Sequence, residues 1–454
     1  MISSGAFSGK RYAVLGLARS GLAAVEALLA SGAQVTAWDS REEPRKVLEG
    51  RCDLADPLTI DLAGFAGVVV SPGVPLNSHP IAAAAAAAGV TVIGDIELFA
   101  LARPDLPAHR VVGITGTNGK STTTALVHHL LISAALPARM GGNIGLPVLS
   151  QSPLPAGGVY ILELSSYQLD LTRSLACDVA ALLNITPDHL DRYDSFEAYA
   201  ASKAQLLAMQ HGDQHAVLGM GDAETAHIAA VEDMRRGPGL VHSVDGADLA
   251  ALQPDWPSLQ GPHNLQNAAV AIAIVEALGL NPAQWRAALP TFRGLPHRME
   301  RVAEANGVLY INDSKATNPA SAAPALAAFP PKIRDGAPQR RIHWILGGLP
   351  KGEELGECTP FFGNVAAAYT IGEAGPMFAE LLGPHMKVRR SEMMCEAIRQ
   401  AIEAAQPGDI VMLSPACASF DQFRDYEARG DSFRQIVEAL IAPDAAAQPV
   451  SGAA

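Results

Sequence analysis

The apolar run Val111-Val-Gly-Ile-Thr115 leads straight into Gly113-Ile-Thr-Gly-Thr-Asn-Gly-Lys120-Ser121, and an apolar, helix-length segment follows from about Thr122. Strand, glycine-rich loop and helix in that order leave little freedom of fold, because the loop must turn tightly at the carboxyl end of a buried parallel strand. In that setting Gly116, Thr117, Asn118 and Gly119 offer backbone amides to phosphate oxygens, and the helix start adds the positive end of its dipole. Lys120 neutralises further charge, and the Ser121 hydroxyl, next to Thr122, suits Mg²⁺ beside a nucleoside triphosphate. The strict G-x-x-x-x-G-K-[ST] spacing is not met, since Ile114 stands five residues before Gly119 and Gly116 makes the turn instead. A loop that only reversed the chain would not need Lys and Ser in these places.

Around this unit the hydrophobic periodicity predicts an α/β protein of three domains. Arg11-Tyr-Ala-Val-Leu-Gly reads as a strand, residues 21–31 as a helix and Gln34-Val-Thr-Ala-Trp-Asp39 as a second strand. Val68-Val-Val-Ser-Pro-Gly adds a strand and turn, the alanine run 82–88 a helix, and Val90-Thr-Val-Ile another strand. A Rossmann-like domain is placed at 1–97, a P-loop ATPase-like domain at 98–297 and a second Rossmann-like domain at 298–454. The last is read with strands at 308–312, 342–346, 367–371 and 410–413. From about 443 the bulky residues and the periodicity disappear, which predicts a disordered tail.

Lys and Arg number 33 against 46 Asp and Glu, a net charge of −13. That balance argues against non-specific binding to nucleic acid or to an anionic membrane, so any phosphate site has to be local. Five scattered cysteines without a C-x-x-C pair predict free thiols in a reducing compartment. Residues 12–30 follow Lys10-Arg11 and are largely apolar, yet Arg19, Glu26 and the Gly16 to Gly21 turn fit a strand and helix better than a secretion signal. With no strongly apolar run long enough to span a bilayer, a cytoplasmic protein is expected.

Other strand ends carry candidate chemistry. Val159-Tyr-Ile-Leu-Glu163 ends in a carboxylate that could bind metal beside a triphosphate, although a strand-end glutamate is more often an ordinary surface residue. Leu182-Leu-Asn-Ile-Thr-Pro-Asp188-His189-Leu-Asp191 sets a histidine among carboxylates, which suits a metal or phosphoryl site; a satisfied structural histidine is the plain alternative. Lys203, in a helix-like stretch 196–209, reads from pattern alone as a solvated lysine. Asn264 and Asn267 share a helix face after Pro262, where they could cap the helix or meet a nucleotide. Gly16-Leu-Ala-Arg-Ser-Gly21, with Asp39 ending the next strand, is a degenerate dinucleotide fingerprint in which Ala18 replaces the middle glycine.

Taken in order, the T-G-T-N-G-K-S loop, Gly141-Gly-Asn-Ile-Gly145, Glu163-Leu-Ser-Ser-Tyr-Gln168, Thr186-Pro-Asp-His-Leu-Asp191, Ser202-Lys203-Ala, Gly261-Pro-His-Asn264-Leu-Gln-Asn267, His297-Arg298, Asn312-Asp-Ser-Lys-Ala-Thr317-Asn and Leu413-Ser-Pro-Ala-Cys-Ala-Ser419 carry a resemblance. Over nearly its whole length the chain resembles the Mur ligases, cytoplasmic amino-acid ligases of peptidoglycan synthesis. Gly94-Asp-Ile-Glu97-Leu-Phe and the segment ending Ser419-Phe-Asp-Gln-Phe423 look like its D-glutamate-adding branch.

The resemblance implies an ATP-dependent, ADP-forming ligase that adds D-glutamate to UDP-N-acetylmuramoyl-L-alanine through an acyl phosphate, serving the cell wall and hence cell shape and division. It implies Lys120, Glu163, His189 and Lys203 as catalytic residues, and two Mg²⁺ ions held by Ser121, Glu163, His189 and a Lys203 carbamylated by CO₂. ATP contacts are implied for the loop, Asn264, Asn267, Arg298, Asp313 and Lys315, with domain closure assembling the site. For the UDP-substrate they are Leu17, Ala18, Arg19, Ser20, Asp39, Ser40, Arg41, Ser71, Pro72, Gly73, Asn143, Ser165 and Gln168. For the glutamate they are Thr317, Lys351, Ser419 and Phe420. A monomer is expected. One departure stands out: Gly347-Gly-Leu349-Pro350-Lys351-Gly lacks the acidic residue that many relatives carry in this loop. The competing readings are a sibling or folate-type ligase, an NAD-dependent oxidoreductase built on the first fingerprint, and a catalytically silent nucleotide-binding regulator.

Overall fold

In the first sheet, alternate residues of one strand feed two different cores. The computed structural model describes residues 1–188, 192–334, 336–350 and 352–441. Strand Arg11–Leu15 turns Tyr12 and Val14 toward Ala24, Val25 and Leu28 of helix Arg19–Ala30, and Ala13 and Leu15 toward Leu62, Phe65, Ile81 and Ala85. Burial on both faces is what its unbroken apolar run predicts for a parallel strand. The sheet runs Asp53–Leu54, Gln34–Trp38, Arg11–Leu15, Gly67–Val70, Val92–Ile93, all parallel. Its order reverses between Arg11–Leu15 and Gly67–Val70, so the loops after these strands frame a crevice at the carboxyl edge.

The second sheet is also all parallel, in the order Val241–Val244, His215–Gly219, Val179–Leu182, His109–Thr115, Gly158–Glu163, Ala138–Gly142. Register aligns Ile114 with Glu163 and Thr115 with Leu182. The glycine-rich loop, Glu163 and the segment after Leu182 therefore leave the sheet side by side. Both sheets belong to one compact unit, Met1–Ala251 with Leu265–Thr291.

The remaining described chain forms a second unit. Its sheet runs Glu300–Ala305, Val308–Asn312, Ile410–Leu413, Ile342–Gly347, Val365–Ile371, Lys387–Glu392, with the first pair antiparallel and the others parallel. The interior strands follow the apolar runs read from sequence. The two edge strands do not announce themselves, because Glu300–Ala305 and Lys387–Glu392 are half-exposed and charged, as edges that resist pairing with other chains tend to be. The helix after the glycine-rich loop begins at Lys120, two residues before the expected start, because Gly119 already supplies its cap. The tail from 443 lies outside the described residues. Among the described residues no helix is long and apolar enough to cross a membrane.

Gly21 closes the first turn of helix Arg19–Ala30 so tightly that a Cβ there would sit 1.8 Å from the Gly16 carbonyl oxygen. Gly21→Ala should therefore destabilise the chain by about 1–3 kcal/mol, the usual cost of overpacking. Urea unfolding checks it, and an unchanged midpoint would contradict this close approach.

Candidate functional site

The glycine-rich loop is held from outside itself. Gly116, at φ 149°, is wedged against Leu183, where a Cβ would come within 2.9 Å of the Leu183 Cβ. The Thr117 amide donates to the Asn184 carbonyl at 2.9 Å, and the Asn118 amide to Asn184 Oδ1 at 2.8 Å. Thr117 Oγ1 donates to the Thr186 carbonyl at 3.1 Å, accepts from the Thr186 amide at 3.0 Å and lies 3.0 Å from the Tyr199 hydroxyl. Gly119, at φ 83°, caps helix Lys120–Ser133, and its missing Cβ leaves room for the Asn267 amide. Lys120 Nζ donates to the Gly116 and Thr117 carbonyls at 2.8 and 2.7 Å, Ser121 is buried, and Thr122 follows in the same turn. Asn184 and Tyr199 were not singled out by sequence reasoning. Their signals were position alone: Asn184 just past a strand end, and Tyr199 four residues before Lys203 on the same helix face.

Glu163 ends its strand 2% exposed. Its Oε1 accepts from Asn143 Nδ2 at 3.1 Å, while Oε2 has no hydrogen-bond partner among the described residues. A buried carboxylate oxygen left so is costly unless a cation meets it. The reading of Lys203 as a solvated lysine is overturned: it is 2% exposed, because helix Phe196–Ala208 turns Tyr199, Ser202, Lys203 and Leu206 inward. Its Nζ donates to the Gly116 carbonyl at 2.9 Å and lies 4.6 Å from the Tyr199 ring centroid. Burial, then the neighbouring Lys120 charge, push its pKa down to about 7, against the opposing pull of Asp188 and Asp170. His189 lies outside the described residues. Among the described residues no three His, Cys, Asp or Glu side chains are grouped to hold a metal unaided.

At the carboxyl edge of the first sheet the chain binds itself through Asp39. Its Oδ2 accepts from the Leu17 amide at 2.7 Å, and its Oδ1 from the Arg41 amide at 3.0 Å and Arg41 Nε at 3.2 Å. Burial pushes this carboxyl up, but the Arg41 and Leu17 hydrogen bonds outweigh it and hold the pKa below its usual value. The Leu17 side chain is buried, whereas Ala18, Arg19, Ser40, Arg41 and Gly73 are exposed, with Ser20, Ser71 and Pro72 intermediate. Arg19 Nη2 donates to the Gly145 carbonyl, tying this edge to the loop that carries Asn143. Ser165 and Gln168 form a capping box on helix Ser166–Asp170.

In the second unit, Asn264 Nδ2 donates to the Gln260 carbonyl at 3.0 Å. Asp313 follows strand Val308–Asn312, buried, accepting from Ser414 Oγ at 2.8 Å and from the Met299 amide at 3.1 Å. Burial raises its pKa to about 7 despite Ser414, the Met299 amide and Arg298. Lys315 Nζ stands 3.9 Å from the Tyr426 ring centroid, and the Thr317 amide donates to the Lys315 carbonyl at 2.9 Å. Ser419 is buried and Phe420 is 68% exposed. The residue that organises this edge, Arg429, was missed. Buried, it donates to the carbonyls of Ser314, Cys417 and Ala418 at 2.8, 3.0 and 3.1 Å, and so fastens the Asp313 loop to the Ser419 loop. Leu349 pairs with Ala418 through hydrogen bonds of 3.0 Å in both directions, which fixes the loop whose sequence departs from the family pattern. Lys351 lies outside the described residues.

Residues 10–94 match the MurD-like N-terminal domain of Mur ligases, 114–238 the Mur ligase middle domain and 297–417 the Mur ligase glutamate ligase domain. The chain is 71% identical over 441 residues to a UDP-N-acetylmuramoylalanine–D-glutamate ligase of Novosphingobium aromaticivorans, covering 97% of each chain. With the enzyme of that name from Sphingopyxis alaskensis it shares 61% over 442 residues, covering 97% of this chain and all of the other. Among solved structures, a UDP-N-acetylmuramate–alanine ligase of Thermotoga maritima matches with TM-score 0.56 at 16% identity, covering 95% of this chain and 99% of that one, a likeness of fold.

A lysine whose pKa falls from 10.5 to about 7 on folding lowers stability as pH drops through that window, because only the unfolded chain takes up the proton there. Lys203→Met removes this penalty. Its stability relative to the unsubstituted chain should rise as pH is lowered from about 10 to about 7 and then level off, as read by denaturant titration across pH. A pH-independent difference would contradict the burial of a titrating amine.

Proposed function

The chain belongs to the Mur ligase family, and from that premise we propose that it joins D-glutamate to the alanyl carboxylate of UDP-N-acetylmuramoyl-L-alanine with cleavage of ATP to ADP and phosphate. The observation that carries the reading is one glycine-rich loop flanked by Lys120 and by buried Lys203 and Glu163, in a chain 71% identical over 441 residues to a ligase of that name.

A carboxylate is a poor electrophile. In the proposed reaction an alanyl carboxylate oxygen attacks the γ-phosphorus and the bond to the ADP oxygen breaks, leaving an acyl phosphate. The neutral amine of glutamate then attacks the acyl carbon, loses a proton, and phosphate departs with the former carboxylate oxygen. Both steps bring anions together, so the protein's task is positive charge and placement. Asn184 already takes the Thr117 and Asn118 amides, so the phosphates fall to Lys120 and to the amides at the start of helix Lys120–Ser133, while Asn184 and Tyr199 keep the loop from yielding.

Glu163 Oε2, buried without a partner, fits a hard cation, as does the Ser121 hydroxyl next to the loop lysine. Glu163, Ser121, His189 and Lys203 would hold Mg²⁺, which when bound screens the charge of the triphosphate. A pKa near 7 leaves much of the Lys203 amine neutral, so its nitrogen can bond to CO₂ and release a proton, giving an anionic carbamate in place of a cation. We assign the UDP-substrate to 1–97, where Ser20 lies, together with Asn143, Ser165 and Gln168, ATP to 98–297 and glutamate to 298–454. Asn264, Asn267, Arg298, Asp313 and Lys315 are assigned to ATP, and Thr317, Lys351, Ser419 and Phe420 to the glutamate. The enzyme is proposed to work as a cytoplasmic monomer supplying cell-wall precursor for growth and division.

The oxidoreductase reading accounts for only one part of the chain: a dehydrogenase needs neither the glycine-rich loop with Lys120 and Ser121 nor the glutamate ligase domain matched at 297–417.

Phosphate release measured with ATP, Mg²⁺ and UDP-N-acetylmuramoyl-L-alanine should require D-glutamate and be absent with L-glutamate or no amino acid. Release with another amino acid would keep the phosphoryl chemistry and overturn the glutamate assignments; no release at all would favour a silent binder. Lys203→Ala and Lys203→Arg should each lose about 100-fold or more in kcat, as expected when a metal-supporting group is removed. Near-normal turnover in both would remove Lys203 from the metal site.

A further inference from the structure

The segment Gly94-Asp-Ile-Glu97 contains two buried acids with opposite fates. Glu97 is fully engaged, accepting from the Arg173 and Ser174 amides at 2.7 and 3.0 Å and from Ser174 Oγ at 2.7 Å. Asp95, first residue of helix Asp95–Ala102 and 3% exposed, has no hydrogen-bond partner on either carboxylate oxygen among the described residues. Among the described residues the groups that face it are neutral: Ser20 in the first turn of helix Arg19–Ala30, Gln168 in helix Ser166–Asp170, and the amides of Asp95 and Ile96. Ser20 and Gln168 stop short of hydrogen-bonding geometry, yet stand close enough to favour the charged carboxylate. Gln168 Oε1 already accepts from the Ser165 amide at 3.1 Å and Ser165 Oγ at 3.2 Å, which leaves its NH₂ as the end to offer an anion.

We propose that Asp95 is a positioning residue for the UDP-substrate: its ionised carboxylate draws Ser20, at the edge of the first sheet, and Gln168, beside the second, toward one point behind the substrate crevice. This rests on the ligase reading, which assigns both residues to that substrate. An unpaired buried anion is destabilising and persists only where something else selects it. Burial has raised the carboxyl to about pKa 6, so it takes up a proton as pH falls through that value and no longer attracts both neighbours as an anion does.

The test is calorimetric titration of UDP-N-acetylmuramoyl-L-alanine into the full chain and into Asp95→Asn, with steady-state kinetics beside it. Losing this anionic attraction should raise Kd and KM for the UDP-substrate about tenfold near neutral pH, with kcat and KM for ATP within about twofold. The unsubstituted chain should lose about threefold in affinity between about pH 7.5 and about pH 5.5, and Asp95→Asn should not. The variant should also unfold at a higher temperature, since an amide is less costly to bury than an anion. An unchanged Kd, a Kd change that keeps the pH dependence, or a fall in every kinetic parameter with a lowered unfolding temperature would each overturn the proposal. An unsubstituted chain that binds the UDP-substrate but releases no phosphate with D-glutamate fails the ligase reading alone, because the Kd comparison still decides the role of Asp95. One that does not bind overturns both.

Discussion

Two lysine side chains share one backbone carbonyl. Lys120 and Lys203, from two different helices, both donate to the oxygen of Gly116, at 2.8 and 2.9 Å, in the turn after strand His109–Thr115. Two cations so close are held there only because the loop is fastened from outside, by Asn184, Thr186 and Tyr199, and because one of the amines can give up its proton. The arrangement is poised to receive anions. Glu163, aligned with Ile114 by the register of the sheet, brings an unpartnered carboxylate oxygen to the same edge, where a cation and a triphosphate would neutralise both surpluses together.

The second unit solves a similar problem with one arginine. Arg429 is buried against three carbonyls, and its five donors let it bind the turn after Val308–Asn312 to the turn after Ile410–Leu413. These are neighbouring parallel strands, so their carboxyl-end loops are adjacent by topology, and the guanidinium makes that adjacency rigid. Asp313 is thereby fixed beside Ser414, buried and raised toward neutrality. In both units the side chains proposed for the site stand at the carboxyl ends of parallel strands, and buried polar groups from other elements set their positions.

What could be read from the sequence was what repeats locally. The loop, its strand and its helix were legible because apolar period, glycine placement and Gly-Lys-Ser coincide within about a dozen residues. Glu163 was legible as a strand end, though its unpartnered oxygen was not. The burial of Lys203 was invisible to pattern, because its helix is rich in alanine and shows no sharp polar face; only packing against the loop makes one side interior. Asn184, Tyr199, Arg429 and the solitude of Asp95 share one cause. Each depends on backbone groups or helices far away in the chain, which no window of sequence contains. The edge strands escaped for the opposite reason, since their charged, half-exposed residues follow solvent and not a core.

The central claim is that this edge transfers phosphoryl from ATP to a carboxylate before an amine arrives. UDP-N-acetylmuramoyl-L-alanine labelled with ¹⁸O in the alanyl carboxylate tests it most directly, with mass spectrometry of the phosphate released during D-glutamate addition. One labelled oxygen should appear in each phosphate, because the departing oxygen began in the carboxylate. Phosphate carrying no label would mean that the carboxylate never bonded to phosphorus, and would contradict the account.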